Sequence, residues 1–285
     1  MFHKRPDGRR VRSIDPIMMI MPYIMKERTD TMTAYEDTFP CEAMDEYIKE
    51  KKEQGINISY MHILIAATVR LIALRPQLNR FIMNGRVYTR PKIWVSFSMH
   101  TTLKDDSEEV TVKLCFDGTE SILEVAEKIN EAITNERRNA GSDNETSKFA
   151  KALLYIPGPI LKFVVNTLMW MDRHNMMPKA IVDLSPFHTT FYITNLKSLG
   201  INHVHHHIYN FGTTGLFLAM GKEKVIPVVK NGEIVQEKHM GYSLVSDERI
   251  CDGLYFALAL RQLRKIMQNP AVLENKLESK VEDVR

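Results

Sequence analysis

The alternation of hydrophobic and polar residues predicts helices and strands in mixed order along the chain. Residues 32–40, "MTAYEDTFP", are predicted to be extended, and "CEAMDEYIKEKKEQG" is predicted to form a helix that stops at Gly55. The stretch "SYMHILIAATVRLIALRPQLNRFI" predicts the clearest helix, which is capped by Ser59 and ended by Arg75-Pro76. Its apolar residues run almost all round, which is typical of a buried helix.

Strand patterns follow this helix. Asn84-Gly85 lies between apolar stretches and predicts a hairpin turn. "IWVSFSMHTTL" and "EEVTVKLCFDG" alternate as strands do, with the charged turn "KDDSE" between them. "SILEVAEKINEAITNERRNA" is amphipathic and predicts a helix, and the apolar residues 149–183 predict one or two more.

The last third of the chain is predicted to be mainly strands closed by a helix. The strands are expected at 189–195, 213–220, 224–230 and 239–247, and Asn231-Gly232 is expected to join two of them. "DGLYFALALRQLRKIMQNP" predicts a final helix that ends at Pro270. The element order indicates an α/β fold, a mixed sheet flanked by helices in a single domain over residues 1–285. We expect a helical insertion at 145–185 and a charged, frayed tail at 272–285.

Composition narrows the class of protein. The chain has 285 residues, of which 44% are hydrophobic and 26% charged, values typical of a soluble globular protein. The net charge of +3 is too mild to indicate a nucleic-acid partner. Three cysteines without paired spacing, Cys41, Cys115 and Cys251, favour neither a disulfide framework nor structural zinc, so the expected location is the cytoplasm.

The apolar segment 149–171 is the one candidate for membrane contact. Lys151, Lys162 and the break at Pro157-Gly158-Pro159 leave apolar runs shorter than the ~20 residues that a spanning helix needs. We therefore expect no membrane span. The segment is predicted to pack on the core or on a neighbouring subunit, and association with a membrane surface remains the alternative.

Three stretches carry a family resemblance. "YMHILIAATVRLIALRPQLNRFIMNGRVY" resembles the helix and hairpin of chloramphenicol acetyltransferases and of the catalytic domain of dihydrolipoyl acyltransferases from 2-oxoacid dehydrogenase complexes. "TTFYITNLKSLGI" is similar to their "TFTISNLGxxG" segment, and "YSLVSDERICDGLYFALALRQLRKIMQNP" resembles their "LSxDHRxxDG" strand, turn and helix. The similarity runs from about residue 15 to 272, except at 145–185. It implies the chloramphenicol acetyltransferase-like fold, a homotrimer with active sites between subunits, and coenzyme A or acyl-CoA as a substrate.

The resemblance also assigns site residues. Asp247, Arg249, Asp252 and Gly253 match the "DHRxxDG" pattern, and Glu248 stands where the pattern has its catalytic histidine. Thr194 matches the hydroxyl residue that stabilises the oxyanion. Asp252 is expected to be a structural anchor paired with an arginine, either Arg249 or one from the N-terminal region. We expect substrate contacts from His100, Asn195, His205, His207 and Arg249.

The carboxylate at Glu248 leaves two functions open. In the family a histidine removes a proton from the attacking thiol or hydroxyl, and a carboxyl group with a pKa of ~4.3 is a weak base for a thiol unless burial raises that pKa. One function is acyl transfer to or from coenzyme A of the 2-oxoacid dehydrogenase type. The alternative is a catalytically inactive homologue that acts as a trimeric scaffold or ligand-binding module.

The segment "NHVHHHIYNFG" holds a histidine cluster. In a strand, His203, His205 and His207 would share one face, and three imidazoles there could bind zinc or copper. Because no carboxylate or cysteine lies beside them in the sequence, no bound metal is expected. The histidines are predicted to line a subunit interface or channel, or to enter the site near Glu248. His62 is predicted to be a core histidine, and Cys251 a buried spacer.

Overall fold

A six-stranded mixed sheet forms the centre of the computed structural model, which describes residues 5–100, 109–138 and 155–284. Across the sheet, the strands are β2 (Met32–Pro40), β9 (Glu233–Asp247), β8 (Leu216–Lys230), β7 (Phe191–Asn195), β5 (Ile93–His100) and β6 (Glu109–Phe116). Strand β7 runs parallel to both of its neighbours, and the other pairs are antiparallel. A smaller sheet contains β1 (Arg9–Arg10), β4 (Arg86–Thr89) and β3 (Arg80–Met83).

Helices cover one face of the large sheet. The described helices are α1 (Pro16–Ile24), α2 (Glu42–Glu53), α3 (Tyr60–Leu74), α4 (Ile122–Arg138), α5 (Gly158–Arg173), α6 (Lys179–Leu184) and α7 (Gly253–Gln268). Apolar side chains of α2, α3, α4 and α7 form one core with inward-facing residues of the strands, such as Phe97, Ile193 and Leu244. Helix α3 is buried along nearly its whole length, as its apolar circumference predicted. The mixed sheet with flanking helices is confirmed.

The two Asn-Gly turns lie where the sequence placed them. Asn84 and Gly85 have φ of 49° and 69°, and Asn231 and Gly232 have φ of 54° and 85°. Positive φ at both central residues is the backbone of the tight hairpin turn that suits twisted strands. These turns join β3 to β4 and β8 to β9.

Strand β8 is continuous, which corrects the prediction of separate strands at 213–220 and 224–230. A register irregularity between Met220 and Glu223 absorbs the break in the sequence pattern, and pairing with β9 resumes beyond it. The bulge keeps the ladder running although Gly221 and Lys222 interrupt the alternation.

The C-terminal tail is anchored, so the expectation that it frays is wrong. Val281 donates its N–H to the carbonyl of Ala73 over 2.8 Å. The Asp283 carboxylate accepts two hydrogen bonds of 2.7 Å from Arg80, and both side chains are less than 5% exposed. One charged residue of the tail, Asp283, is therefore the partner of a buried arginine.

The described part of the predicted insertion forms α5 and α6, while residues 145–154 and the turn at 104–108 lie outside the described residues. Asp172 fixes the C-terminal end of α5, because its carboxylate pairs with Arg5 at 2.8 Å and with His188 at 3.1 Å. No helix within the described ranges is both long and apolar enough to cross a membrane.

Candidate active site

A pocket of about 370 Å³ lies where the parallel strands β5 and β7 end. The polar residues that line it are Ser98, His100, Glu109, Arg137, Thr194, Asn195 and Ser198. Three of the residues singled out from the sequence, His100, Thr194 and Asn195, therefore share one cavity. Ligands of open α/β sheets commonly bind at the carboxyl ends of strands.

The register of β5 and β7 positions the polar residues. Ser96 pairs with Tyr192 and Phe97 with Ile193, so the alternation of side chains carries Thr194 to the face opposite the core residue Ile193. The Asn195 side chain is held locally, because its Oδ1 accepts a hydrogen bond from the Ser198 N–H at 3.3 Å. The Thr194 hydroxyl makes no hydrogen bond to another described residue, which leaves it available to a ligand.

Sequence reasoning missed four of these polar residues: Ser98, Glu109, Arg137 and Ser198. Glu109 is the cross-strand partner of His100, a pairing set by the register of β5 with β6. Arg137 comes from the last turn of α4, and Ser198 from the 3-10 turn Leu196–Leu199. None of these placements follows from a motif, since each depends on how separate elements pack.

Glu248 lies outside this pocket. It follows β9 on the surface, its Oε2 accepts a hydrogen bond from the Thr33 hydroxyl at 3.1 Å, and its N–H donates to the Thr31 carbonyl at 3.0 Å. Within one chain, Glu248 is therefore not among the residues that line the pocket of Thr194.

The Arg249 guanidinium is held by the protein itself, and the substrate contact expected of it stays a prediction. Its Nε and Nη2 donate to the Asp247 carboxylate at 2.8 and 2.7 Å, and its Nη1 donates to the carbonyls of Met25 and Lys26. The Arg249 and Asp247 side chains are 2% and 1% exposed. Every guanidinium nitrogen is thus bound by the protein itself.

Asp252 was expected to pair with an arginine. Among the described residues it does not, so that expectation is wrong. It is exposed at the N-terminus of α7, where its Oδ1 accepts a hydrogen bond from the Tyr255 N–H at 2.9 Å. Asp252 caps the helix. The ion pair with Arg249 that was expected of Asp252 is made by Asp247. Cys251 is 4% exposed, and burial raises its pKa to about 12, so it is the buried spacer that the sequence indicated.

The histidine cluster lies in a loop rather than in a strand. His203 and His205 both approach the Glu36 carboxylate, at 3.4 and 3.1 Å, and the His206 ring stacks on Phe217 with centroids 3.9 Å apart. No carboxylate is adjacent to these histidines in the sequence, but β2 brings Glu36 to them across a long sequence separation. Neither His205 nor His207 lines the Thr194 pocket. Within the described part of the chain, neither of them contacts Glu248, and His205 bonds to Glu36 instead.

Two glycines make room for this loop. A Cβ on Gly221 would lie 2.3 Å from the His203 backbone nitrogen, and one on Gly241 would lie 2.5 Å from the His203 ring. Across the described ranges, the structure has no group of three His, Cys, Asp or Glu residues arranged to hold a metal ion.

Comparison with known proteins shows what this chain is similar to. Residues 186–274, which include both Thr194 and Glu248, match the model of the 2-oxoacid dehydrogenases acyltransferase catalytic domain. A curated relative from Bacillus subtilis, the dihydrolipoyllysine-residue acetyltransferase component of the acetoin cleaving system, is 24% identical over 223 residues. That alignment covers 78% of this chain and 44% of the relative, so the chain spans less than half the length of this relative.

Solved structures share the fold. The cubic core of the pyruvate dehydrogenase multienzyme complex superposes with a TM-score of 0.58 at 13% identity and covers 93% of this chain and 94% of its own. A chloramphenicol acetyltransferase superposes with a TM-score of 0.52 at 10% identity and covers 90% and 99%.

The sheet, its helices and these superpositions define a protein of the chloramphenicol acetyltransferase-like fold. Within that class, residues 186–274 are similar to the catalytic domain of the 2-oxoacid dehydrogenase acyltransferases. The resemblance drawn from the sequence motifs is confirmed.

Proposed function

We propose that this chain transfers an acyl group to or from coenzyme A. The observation that supports the proposal most directly is the pocket at the ends of β5 and β7, where Thr194 presents a hydroxyl with no partner among the described residues. A preorganised donor of this kind stabilises the negative charge that develops on a thioester carbonyl when it is attacked. Arg137 adds a positive charge to the same pocket, which suits a phosphorylated substrate.

The site is incomplete within one chain, and we propose that a homotrimer completes it. The pocket holds the oxyanion residue of the family pattern, while Glu248 lies on another surface of the same chain. In the proposed assembly, Glu248 of the partner subunit meets the pocket of its neighbour. The likeness to the core of a multienzyme complex supports an assembly of several subunits.

In this site the reaction is a proton transfer coupled to attack on a carbonyl. The Glu248 carboxylate takes the proton of the acceptor thiol or hydroxyl as the sulfur or oxygen bonds to the acyl carbon. Thr194 donates a hydrogen bond to the oxyanion of the tetrahedral intermediate. The intermediate collapses when the bond to the departing sulfur breaks, and the proton held by Glu248 passes to that sulfur.

A thiol-release assay with a panel of acyl-CoAs tests the proposal. We expect release with at least one acyl-CoA, and we expect Thr194→Val to reduce the rate by ~10²–10³-fold, the usual cost of one oxyanion donor. Ser198→Ala is the matched control, since it removes a hydroxyl from the same pocket without removing the proposed donor. An intact trimer that releases no thiol with any acyl-CoA would contradict transfer and leave the scaffold as the function.

A further inference from the structure

Helix α1 is apolar and stands on the surface. Ile17, Ile20, Tyr23 and Ile24 are 63%, 51%, 63% and 68% exposed. Pro22 is the one buried residue among the nine of this helix. Single exposed apolar residues are common, but a helix that exposes most of its apolar side chains marks an interaction surface.

Helix α5 exposes a second apolar stripe. Ile160, Phe163 and Trp170 are 54%, 70% and 51% exposed, and their spacing places them on one side of the helix. Asp172 lies on the opposite side, where it is 2% exposed and pairs with Arg5 and His188. The buried ion pairs therefore hold α5 with its aromatic stripe turned away from the protein.

Basic residues without an ion pair flank both helices, while the acidic residues beside them are Asp15, which caps α1, and Glu27, which pairs with Arg173. Arg12 precedes α1, Lys26 follows it, and Lys162 lies on α5; these three form no ion pair within the described ranges. Asp172 is the only acidic residue of α5, and it is buried. An ion pair of 3.2 Å between Arg173 and Glu27 links the end of α5 to the segment that follows α1.

We propose that α1 and α5 form a docking surface for an anionic lipid membrane. Apolar and aromatic side chains flanked by Lys and Arg are what interfacial helices insert at the boundary between headgroups and acyl chains. Free lysines and arginines beside the apolar stripes complement the negative surface of such a membrane. A second copy docked on α5 about a two-fold axis near Lys162 would bring the Lys162 side chains of both copies together, and like charges oppose that contact.

Co-sedimentation of the full chain with vesicles tests the surface. We expect binding to vesicles of phosphatidylglycerol and phosphatidylcholine, weaker binding to phosphatidylcholine alone, and loss of the difference as salt rises well above 0.15 M, where the Debye length is ~8 Å. Lys162→Gln should weaken binding to the anionic vesicles by about fivefold and leave binding to neutral vesicles unchanged.

Phe163→Asp removes the most exposed aromatic residue of the α5 stripe. It should lower the vesicle-bound fraction by about tenfold or more, because a large apolar side chain no longer leaves water. Val229→Asp is the matched control, since Val229 is 72% exposed on β8. The proposal is overturned if neither vesicle type binds the chain, or if both variants behave alike. It is also overturned if Phe163→Asp changes the oligomeric mass while vesicle binding persists, which would make α5 an interface between copies. Thiol release by Phe163→Asp in the absence of vesicles should match the wild type, so this test is independent of the acyl-transfer proposal.

Discussion

At the scale of single residues, the carboxylate of Glu248 determines how well the proposed site can remove a proton near neutral pH. The side chain is exposed and accepts one hydrogen bond from Thr33. An imidazole at this position would have its pKa close to the working pH, whereas an ordinary carboxyl does not. The backbone around the position is fixed independently, because Asp247 and Arg249 hold the turn through their own ion pair.

Exchanging the side chain at this position tests its role. Glu248→Gln should lower acyl-CoA-dependent thiol release by ~10²–10⁴-fold, the range for losing a general base. Glu248→His should raise release above the wild type, since Thr194 and the Asp247–Arg249 pair stay in place. Background rates in Glu248→His, with the assembly intact by light scattering, would show that the acyl site is absent.

Asp172 is the residue whose loss should destabilise the fold most directly. Burial alone would raise the pKa of its carboxyl, but the hydrogen bond from His188 and the charge of Arg5 lower it to about 2. Asp172→Asn leaves the Arg5 guanidinium buried with one carboxylate fewer. We expect a loss of ~3–5 kcal/mol in the free energy of unfolding measured with urea.

Asp183→Asn provides the comparison for that measurement. Asp183 pairs with Lys179 four residues earlier on the exposed side of α6. Surface pairs of this type contribute at most ~1 kcal/mol. Equal destabilisation by the two substitutions would contradict the structural role of Asp172.

At the scale of elements, sequence patterns predicted the helices and turns that depend on neighbouring residues. The apolar circumference of α3 and the two Asn-Gly turns were readable because the determining residues lie next to one another in the chain. The continuity of β8 was not readable, since pairing with β9 outweighs the break at Gly221 and Lys222. The contact of Glu36 with His203 and His205 likewise depends on strand pairing rather than on any sequence pattern.

Helix α3 gives the fold a sensitivity to acid. His62 is 6% exposed, its Nδ1 accepts the Ser59 N–H at 2.9 Å, and burial lowers its pKa from 6.5 to about 4. As pH falls, the imidazole is protonated in the unfolded chain before it is protonated in the folded one. Protonation of His62 therefore leaves the free energy of unfolding unchanged above about pH 6.5 and lowers it between about pH 6.5 and 4.

His62→Gln should therefore flatten the dependence of unfolding free energy on pH in this window. The wild type should lose up to ~3 kcal/mol from this group, at about 1.4 kcal/mol for each unit of pKa difference. Urea unfolding at pH 7, 6, 5 and 4.5 measures the slope in both proteins. Parallel slopes would show that His62 does not control the acid response.

At the scale of the whole molecule, the candidate site was only half predictable. Motif order identified the fold and singled out Thr194 and Asn195, which line one cavity together with His100. The motif could not show that Arg249 and Asp252 serve the turn and the helix cap, because those roles are set by Asp247 and the start of α7. It also could not show that the C-terminal tail is anchored, since the Arg80 partner of Asp283 lies far away in the sequence.

The assembly prediction belongs to the same scale. Light scattering should give a mass three times the 33.0 kDa of the chain, because in the proposed assembly a second copy supplies Glu248 to the Thr194 pocket. A monomer at micromolar concentration would contradict the shared site. Thiol release by that monomer would show instead that a group within one chain, such as His100, acts as the base.

The ion pair between Asp283 and Arg80 also limits how early the chain can fold during synthesis. The two residues are 203 positions apart, and Met32 pairs with Asp247 across a comparable separation. At about 5–20 residues added per second, Asp283 is translated roughly 10–40 s after Arg80. During that interval β2 lacks its neighbour β9, and the nascent chain holds an open sheet edge and an uncompensated guanidinium. The native fold thus becomes available only after residue 283 has been translated, when Arg80 can pair with Asp283 and β2 with β9.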